Sequence, residues 1–327
     1  MNNTWIIEKI AKVGGIYAIC GIAVDNNGNI YFTKGTEGLY QINKDDTKPQ
    51  CILKNESDMR GIIWNRNNIL YICDFKNHRI LSYSMDTRNL SILAGNGEYG
   101  YKDGNMKEAQ FYNPRGITMD KNGDLYITDF HRVRKINLSK ETVETIAGSN
   151  DGGYNDGEAK NAKFYLPIGI TVSDDNTIYV ADCNNYCIRK IKNDIVSTIA
   201  GNPGKQGNQD GSLSNSQFKY PSGMHLDIDG SIIISDGSNK LRRIDINNNL
   251  VTSISFPEIK EGIYCLSGSL KRTPYIGTYH AIYKLENVWK YERYLWIGYL
   301  KEKSSYCYLS SLPKEIIKEI ASHLRKK

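Results

Sequence analysis

Short runs of alternating apolar and polar residues, separated by Gly, Asn and Asp, recur along most of the chain. A period of two places successive side chains on opposite faces, so these runs predict strands rather than helices. In one such unit we predict strands at residues 116–120, 124–128, 132–136 and 142–147. Because polar turn residues separate the four strands, the unit is a predicted antiparallel meander.

The meander repeats six times. The copies begin with a glycine and a short apolar run, at Gly21, Gly61, Gly116, Gly169, Gly223 and Gly262. Their spacings of 40, 55, 53, 54 and 39 residues lie within or just above the range of propeller blades. Radial stacking buries the faces of such meanders without leaving long exposed edges. The predicted fold class is all-β, a six-bladed β-propeller of four-stranded antiparallel blades.

The two ends of the repeat array are incomplete in complementary ways. Residues 5–13 look like a fourth strand with no blade before it, whereas the sixth copy ends after its third strand, at 281–285. We therefore expect the N-terminal strand to complete the sixth blade and close the ring. The predicted domains are a propeller over residues 1–285 and a C-terminal tail over residues 286–327.

Three motifs give the chain a resemblance to NHL-repeat proteins. They are Pro114-Arg-Gly116, Gly123-Asp-Leu-Tyr126 and Asn77-His-Arg-Ile80. The resemblance covers about residues 16–285 and implies a six-bladed NHL-type propeller. Copies one and six depart from the pattern, with Lys34 and Thr278 where the other copies have Asp. Terminal repeats are commonly atypical.

The composition is that of an ordinary globular protein, with 40% hydrophobic and 24% charged residues in a chain of 327. No segment approaches the roughly 20 consecutive apolar residues that span a bilayer. Residues 1–10 also lack the apolar run of a signal peptide. None of the seven cysteines belongs to a Cys-x-x-Cys pair, which favours reduced thiols. We expect a cytoplasmic protein without membrane contact.

An aspartate closes the second strand of four copies, at Asp74, Asp129, Asp182 and Asp236. Acids on one face can hold calcium, but an Asp at a strand end can accept backbone N–H bonds without any ligand. Repetition from blade to blade is what a structural role predicts, so we expect these residues to be structural repeat acids. No catalytic or cofactor-binding residue is predicted, and calcium or zinc has no support in the sequence.

Histidine is the next candidate, because His78, His131 and His280 share one repeat position before the third strand. Three histidines can make a zinc site. Blades two and six are not neighbours, however, so turn residues are the expected role. His225 is the better candidate for facing the central channel, although one histidine is not a catalytic constellation.

The net charge of +6 suggests RNA as a further partner. The tail holds nine Lys or Arg and five Glu residues, so the propeller keeps a charge of only +2. A local basic patch remains open on the third strands, from Arg132, Arg134, Lys135, Arg189, Lys190, Arg242 and Arg243. RNA binding is therefore the third-ranked function.

The tail contains one predicted amphipathic helix, at about residues 312–325. Pro313 suits its first turn, and its apolar stripe consists of Leu312, Ile316, Ile317, Ile320 and Leu324. The segment resembles the opening helix of an F-box, in a truncated form found in proteins of large DNA viruses. The favoured interpretation is a helix that packs on the side of the propeller or on Trp289 and Trp296. The resemblance implies the alternative, docking onto a ubiquitin-ligase adaptor through Leu312, Pro313, Ile316, Ile317, Ile320 and Leu324. If the protein is viral, its expected location is the host cytoplasm.

The absence of a catalytic set favours a non-enzymatic scaffold that binds a protein or peptide through propeller loops or the central mouth. Propellers host enzymes and adaptors alike. Two alternatives therefore stay open, namely a metal-assisted hydrolase or lyase and a single-stranded RNA-binding protein.

Overall fold

The computed structural model describes residues 5–54, 57–267 and 274–287, whose regular structure is almost entirely β-strand. These residues contain one short helical turn, Cys183–Asn185. No helix within the described ranges is long and apolar enough to cross a membrane. Contacts group residues 9–284 into one compact unit and residues 1–8 with 285–327 into a second.

The strands form six antiparallel sheets, which we number as blades in chain order. Blade 1 follows β1 (Trp5–Lys12) and contains β2 (Gly21–Val24), β3 (Ile30–Thr33), β4 (Leu39–Ile42) and β5 (Gln50–Leu53). Blade 2 contains β6 (Met59–Trp64), β7 (Ile69–Asp74), β8 (Arg79–Ser84) and β9 (Leu90–Ala94). Blade 3 contains β10 (Gly104–Asn105), β11 (Pro114–Met119), β12 (Leu125–Asp129), β13 (Arg132–Asn137) and β14 (Thr142–Gly148).

The second half of the ring repeats this order. Blade 4 contains β15 (Gly157–Glu158), β16 (Ile170–Val172), β17 (Ile178–Asp182), β18 (Cys187–Lys192) and β19 (Ile195–Ala200). Blade 5 contains β20 (Pro221–Leu226), β21 (Ile232–Asp236), β22 (Lys240–Asp245) and β23 (Leu250–Ser255). Blade 6 contains β24 (Cys265–Leu266), β25 (Tyr275–Gly277) and β26 (Ala281–Asn287), with β1 beside β26. The N-terminal strand thus completes the sixth blade, as predicted.

The blades close into a ring through their first strands. β2, β6, β11, β16 and β20 each contact the first strand of the next blade, and β24 contacts β2. This closure confirms the predicted all-β six-bladed propeller. Blades 3 and 4 differ from the prediction by a short fifth strand, because β10 pairs with β14 and β15 with β19. The connection that enters each of these blades therefore covers its outer edge.

The glycine that opens each repeat allows neighbouring first strands to approach. A Cβ atom on Gly61, Gly116 or Gly169 would meet a backbone carbonyl oxygen of the following blade. None of the three has a positive φ. The sequence therefore needs glycine there for close packing and not for an unusual backbone conformation.

Blade 6 shows that the sixth copy begins later than the sequence alignment predicted. Met224 of blade 5 lies opposite Ile234, two residues before Asp236. Leu266 of blade 6 lies opposite Ile276, two residues before Thr278. Cys265, and not Gly262, is therefore the counterpart of Gly223. The missing glycine stands on the next strand instead, at Gly277, whose Cβ would meet the Cys265 sulfur.

The ring has two faces with different connections. We call the loop face the one that holds the starts of the first strands, the turns between second and third strands, and the long connections between blades. The turn face holds the remaining turns, such as the one that joins β11 to β12. On the turn face, Asp120 accepts N–H bonds from Asn122 and Asp124 and a hydroxyl bond from Tyr126.

Candidate functional site

The loop face carries a continuous group of aromatic side chains across blades 2, 3 and 4. At its centre the Tyr112 ring stacks on Phe130 at a centroid distance of 4.2 Å and lies 5.9 Å from the His78 ring. The His131 ring lies 4.0 Å from Phe130 and 5.5 Å from Tyr165. We call these rings the aromatic cluster, whose members are His78, Tyr99, Tyr101, Tyr112, Phe130, His131 and Tyr165.

The cluster is assembled from separate turns and connections of the loop face. His78 belongs to the turn between β7 and β8, while Tyr99 and Tyr112 belong to the connection between blades 2 and 3. Phe130 lies in the tight turn between β12 and β13 with φ of 55°, a left-handed conformation that is uncommon for a bulky residue. Local turn geometry therefore places this ring on the loop face.

Several tyrosines of the loop face are exposed to solvent. Tyr99 is 71% exposed and Tyr165 is 44% exposed. Beyond the cluster, Tyr220 lies 6.1 Å from Tyr186, and two further exposed rings in blade 6, Tyr264 and Tyr279, lie 5.1 Å apart. The exposed rings therefore extend from blade 2 to blade 6.

The histidines of the cluster fasten one blade to the connection that enters the next. His78 Nδ1 accepts the backbone N–H of Asn113 at 3.2 Å, and His131 Nδ1 accepts that of Leu166 at the same distance. Burial lowers the pKa of both imidazoles, which agrees with a neutral ring that accepts at Nδ1. His280, at the same repeat position of blade 6, instead lies 2.8 Å from a Glu261 carboxylate oxygen.

The four repeat acids lie at the ends of second strands and are fully buried. Asp129 accepts the Tyr112 N–H, Asp182 the Tyr165 N–H, and Asp236 the N–H groups of Lys219 and Tyr220. These donors belong to the connection that enters the same blade. Asp74 differs, because it binds the side chains of Asn77 and Arg79. Contacts of this kind agree with a structural role. That role of the four acids stays a prediction.

Three arginines, one in each of blades 3, 4 and 5, are completely buried beside these acids. Arg134 joins Asp129 to Asp103, Arg189 joins Asp182 to Asp156, and Arg242 joins Asp236 to Asp210, with N···O distances of 2.6–3.1 Å. We call each guanidinium with its two carboxylates an arginine node.

Each node ties a connection between blades to the body of its own blade. In blade 4, Arg189 also donates to the carbonyl oxygens of Asn155 and Lys163, and it lies over the Phe164 ring. Asp156 accepts the backbone N–H of Thr198 on the outer strand. The connection is therefore held by the blade's second, third and fourth strands together.

The nodes overturn part of the predicted basic patch. Arg134, Arg189 and Arg242 belong to that predicted patch, but their side chains have no exposed surface. Their charges are also balanced by two carboxylates each. These three arginines therefore offer nothing to an RNA phosphate backbone.

His225, Cys183 and Cys187 are also buried. His225 is 1% exposed, and its Nδ1 lies 3.0 Å from the Ser267 carbonyl oxygen of blade 6, so it does not face an open channel. Burial raises the pKa of the Cys183 and Cys187 thiols. Among the described residues, no three His, Cys, Asp or Glu side chains come together in a way that could hold a metal ion.

A cavity of about 720 Å³ opens on the turn face. Its walls include the ends of the first strands of blades 1 to 4, at Val24, Trp64, Met119 and Val172. The turn residue Asn122 adds polar groups at the rim.

The tail-helix residues Leu312, Pro313, Ile316, Ile317, Ile320 and Leu324 lie outside the described residues.

The sequence interpretation missed the aromatic cluster. Its signal was a tyrosine two residues before the proline near the start of a repeat, at Tyr112 and Tyr165, and Tyr220 outside the cluster lies directly before the proline of the next repeat. Each of these tyrosines lies at the end of a connection between blades. Because the rings come from separate connections, no local periodicity marks them as one surface.

The family model of the NHL repeat matches residues 111–134 and 164–191, in blades 3 and 4. Two stretches of this propeller therefore match the NHL repeat. The chain is 36% identical over 106 residues to NHL repeat-containing protein 2 of Gallus gallus, which covers 31% of this chain and 14% of that protein. It is 30% identical over 131 residues to Protein SUPPRESSOR OF QUENCHING 1, chloroplastic, of Arabidopsis thaliana, and this match covers 37% of this chain and 12% of that protein. The chain thus spans only a small part of these relatives.

Two solved structures of enzymes share the fold. A gluconolactonase of Xanthomonas campestris superposes with a TM-score of 0.64 at 13% identity, over 86% of this chain and 89% of that chain. Virginiamycin B lyase of Staphylococcus aureus superposes with a TM-score of 0.58 at 14% identity, over 86% and 99%. At such identities the likeness is one of fold alone.

Proposed function

We propose that this NHL-repeat propeller is a non-enzymatic interaction scaffold that binds a protein or peptide on its loop face. The observation that carries the proposal is the aromatic cluster with its exposed tyrosines, Tyr99 and Tyr165. Aromatic residues are enriched in the buried centres of protein interfaces and supply most of their hot spots. An exposed row of rings on one face therefore favours a surface that another chain covers.

The way in which the rings are held adds support. The side chains of His78 and His131 fix the connections that carry Tyr112 and Tyr165, and the arginine nodes hold the same connections from below. A surface that is ordered before binding loses less conformational entropy when a partner docks. This favours recognition of a defined peptide or protein surface.

Affinity purification with mass spectrometry tests the proposal. The wild-type chain is compared with the double variant Tyr99→Ala, Tyr165→Ala and with a control, Ile228→Ala, which removes an exposed apolar side chain from the turn face. We expect the tyrosine variant to lose specific partners that the control retains. Partners that bind all three proteins equally would contradict the use of the loop face.

The tail and the location remain further proposals. A ubiquitin-ligase adaptor that binds through the F-box-like tail should be recovered with the full chain and not with a chain that ends at Leu285. The cytoplasm is the proposed site of action, and six cysteines of the described residues are free thiols. The alternative of a metal-assisted hydrolase or lyase predicts near-stoichiometric calcium or zinc in elemental analysis of the purified protein.

A further inference from the structure

Two arginines flank one phenylalanine on the loop face, next to the aromatic cluster. The guanidinium carbons of Arg60 and Arg115 each lie 5.1 Å from the centroid of the Phe75 ring. Phe75 belongs to the same turn as His78, a member of the cluster. Arg115 follows the Tyr112-Asn113-Pro114 segment that His78 fastens. The arginine pair and the exposed rings therefore belong to neighbouring segments of the same face.

The two guanidinium groups differ in their partners. Arg60 donates to a carboxylate oxygen of Asp58 at 2.7 Å and to the Cys20 sulfur at 3.7 Å. For Arg115, the described part of the chain offers the Phe75 ring and no hydrogen-bond acceptor. Its side chain is half-buried and not extended into bulk water. Arg115 thus holds unused donors beside a second positive charge.

The electrostatics of this pair favour an incoming anion. Burial and the Arg60 charge both lower the pKa of Arg115, so its charged state lacks full compensation in the free protein. Asp58, which already pairs with Arg60, opposes this lowering of the Arg115 pKa only in part. A carboxylate suits the planar fork of a guanidinium and would supply the missing acceptor.

We propose that Arg115 and Arg60 form an anion site that takes the carboxylate of an acidic peptide whose neighbouring apolar side chain rests on the aromatic cluster. This inference rests on the proposed peptide-binding function of the loop face. It specifies the chemistry of the partner, an acidic group beside an apolar or aromatic one. The carboxylate comes from an Asp or Glu side chain or from a chain terminus.

The surroundings favour a peptide over a nucleic acid. A phosphate backbone needs a stripe of cations. The loop face instead alternates in charge, with Glu37, Glu98, Asp151 and Glu261 distributed among its connections. The three arginines of the nodes are buried and neutralised. Two guanidinium groups beside one phenylalanine ring fit a single carboxylate better than a polyanion.

The test follows the side-chain Nε–H signals of 15N-arginine in the full chain during titration with small peptides. The probes are N-acetyl-Phe-Glu-amide, N-acetyl-Phe-Ala with a free carboxylate, and the neutral control N-acetyl-Phe-Gln-amide. We expect both carboxylates to shift the Arg115 signal and the neutral peptide to leave it unchanged. The tighter of the two acidic peptides identifies the source of the carboxylate.

Three variants assign the effect to the site. Arg115→Met should weaken binding of the better acidic peptide by about tenfold, measured on the peptide's ring signals. Arg115→Lys, which keeps the charge but not the fork, should lose less and remains informative if the methionine variant does not fold. Arg66→Met removes an exposed arginine of the turn face and should change nothing.

Three outcomes would overturn the proposal. They are equal binding of the Glu and Gln peptides, undiminished binding by both Arg115 variants, and Arg115-dependent binding of poly(U) without any response to the peptides. Loss of cellular partners on Tyr99→Ala with full retention on Arg115→Met would remove the anion site and leave the scaffold function intact. Retention of partners by both variants would contradict the use of the loop face and would remove the anion site with it.

Discussion

The arginine node of blade 4 allows a quantitative prediction for Arg189→Leu. The change removes the donor that joins Asp182 to Asp156 and that also satisfies the carbonyl oxygens of Asn155 and Lys163. Asp182 keeps only its bonds from the Tyr165 N–H and the Asn185 amide. Removing one partner of a buried ion pair typically costs about 3–5 kcal/mol, and we expect a loss of that size.

Blade 3 provides the matched comparison. Arg132 lies opposite Asp129 in the sheet, as Arg79 lies opposite Asp74 in blade 2, where Arg79 does bind the acid. In blade 4 that position is Cys187. Arg134→Leu leaves a nearby arginine that can turn towards Asp129, so its cost should be smaller, about 1–3 kcal/mol.

The assay is urea unfolding followed by circular dichroism, at pH about 5 and about 8. Burial raises the pKa of Asp182 to about 6, and loss of Arg189, whose charge opposes that rise, should raise it further. A folded-state pKa above the unfolded value means that stability is present at low pH and is lost as pH rises through the folded pKa. The deficit of Arg189→Leu should therefore be larger at the higher pH.

Two results would refute this reasoning. One is a cost for Arg189→Leu below about 1 kcal/mol, which would mean that the node contributes no more than a surface pair. The other is a greater cost for Arg134→Leu than for Arg189→Leu. A deficit that shrinks with rising pH would contradict the assignment of the effect to Asp182.

Three further predictions concern the ring and its loop face. Gly169→Ala should lower the free energy of unfolding by about 1–3 kcal/mol or more, because the new Cβ would meet a backbone carbonyl oxygen of blade 5. A Cβ at Gly14 would meet no atom, so Gly14→Ala should be neutral in the same urea assay. In NMR titrations, the pKa of His78 and that of His131 should lie below the usual histidine value of about 6.5. Their bonds to the loop N–H groups should weaken only as the pH falls below these lowered pKa values. A pKa above the usual value would contradict the acceptor role. Deletion of residues 1–12 exposes the edge of blade 6 and should give an aggregating protein in size-exclusion chromatography; an unchanged monomer with an unchanged melting temperature would contradict closure by β1.

The local sequence pattern was enough to predict the blades because each repeat contains its own alternation of apolar and polar residues and its own turn residues. The strand predicted at 132–136 lies within Arg132–Asn137, and the one predicted at 142–147 lies within Thr142–Gly148. The closing strand was predictable for the same reason, since Trp5–Lys12 alternates like the outer strands. These features depend on neighbours in sequence.

The errors lie where a residue's role depends on a partner far along the chain. Gly262 resembles a repeat glycine, but the space that glycine provides in other blades is provided in blade 6 by Gly277 on the facing strand. Arg189 looks exposed in the sequence because it is charged, yet Asp156, 33 residues earlier, allows it to be buried. Neither the role of Gly277 nor the burial of Arg189 can be recognised without knowing which residues pair across the sheets.

On the loop face, the groups that hold the connections in place are different from the groups that are exposed to a partner. The nodes and the two histidines hold the connections by groups that lie beneath the surface. Tyr99 and Tyr165 present their rings to solvent, and neither ring hydroxyl has a hydrogen-bond partner in the part of the chain that the structure describes. Changes at the exposed rings should therefore alter partner affinity at nearly constant stability, whereas changes at a node should alter both. Specificity in such a propeller can vary by substitution of exposed aromatic residues because the fold does not depend on them.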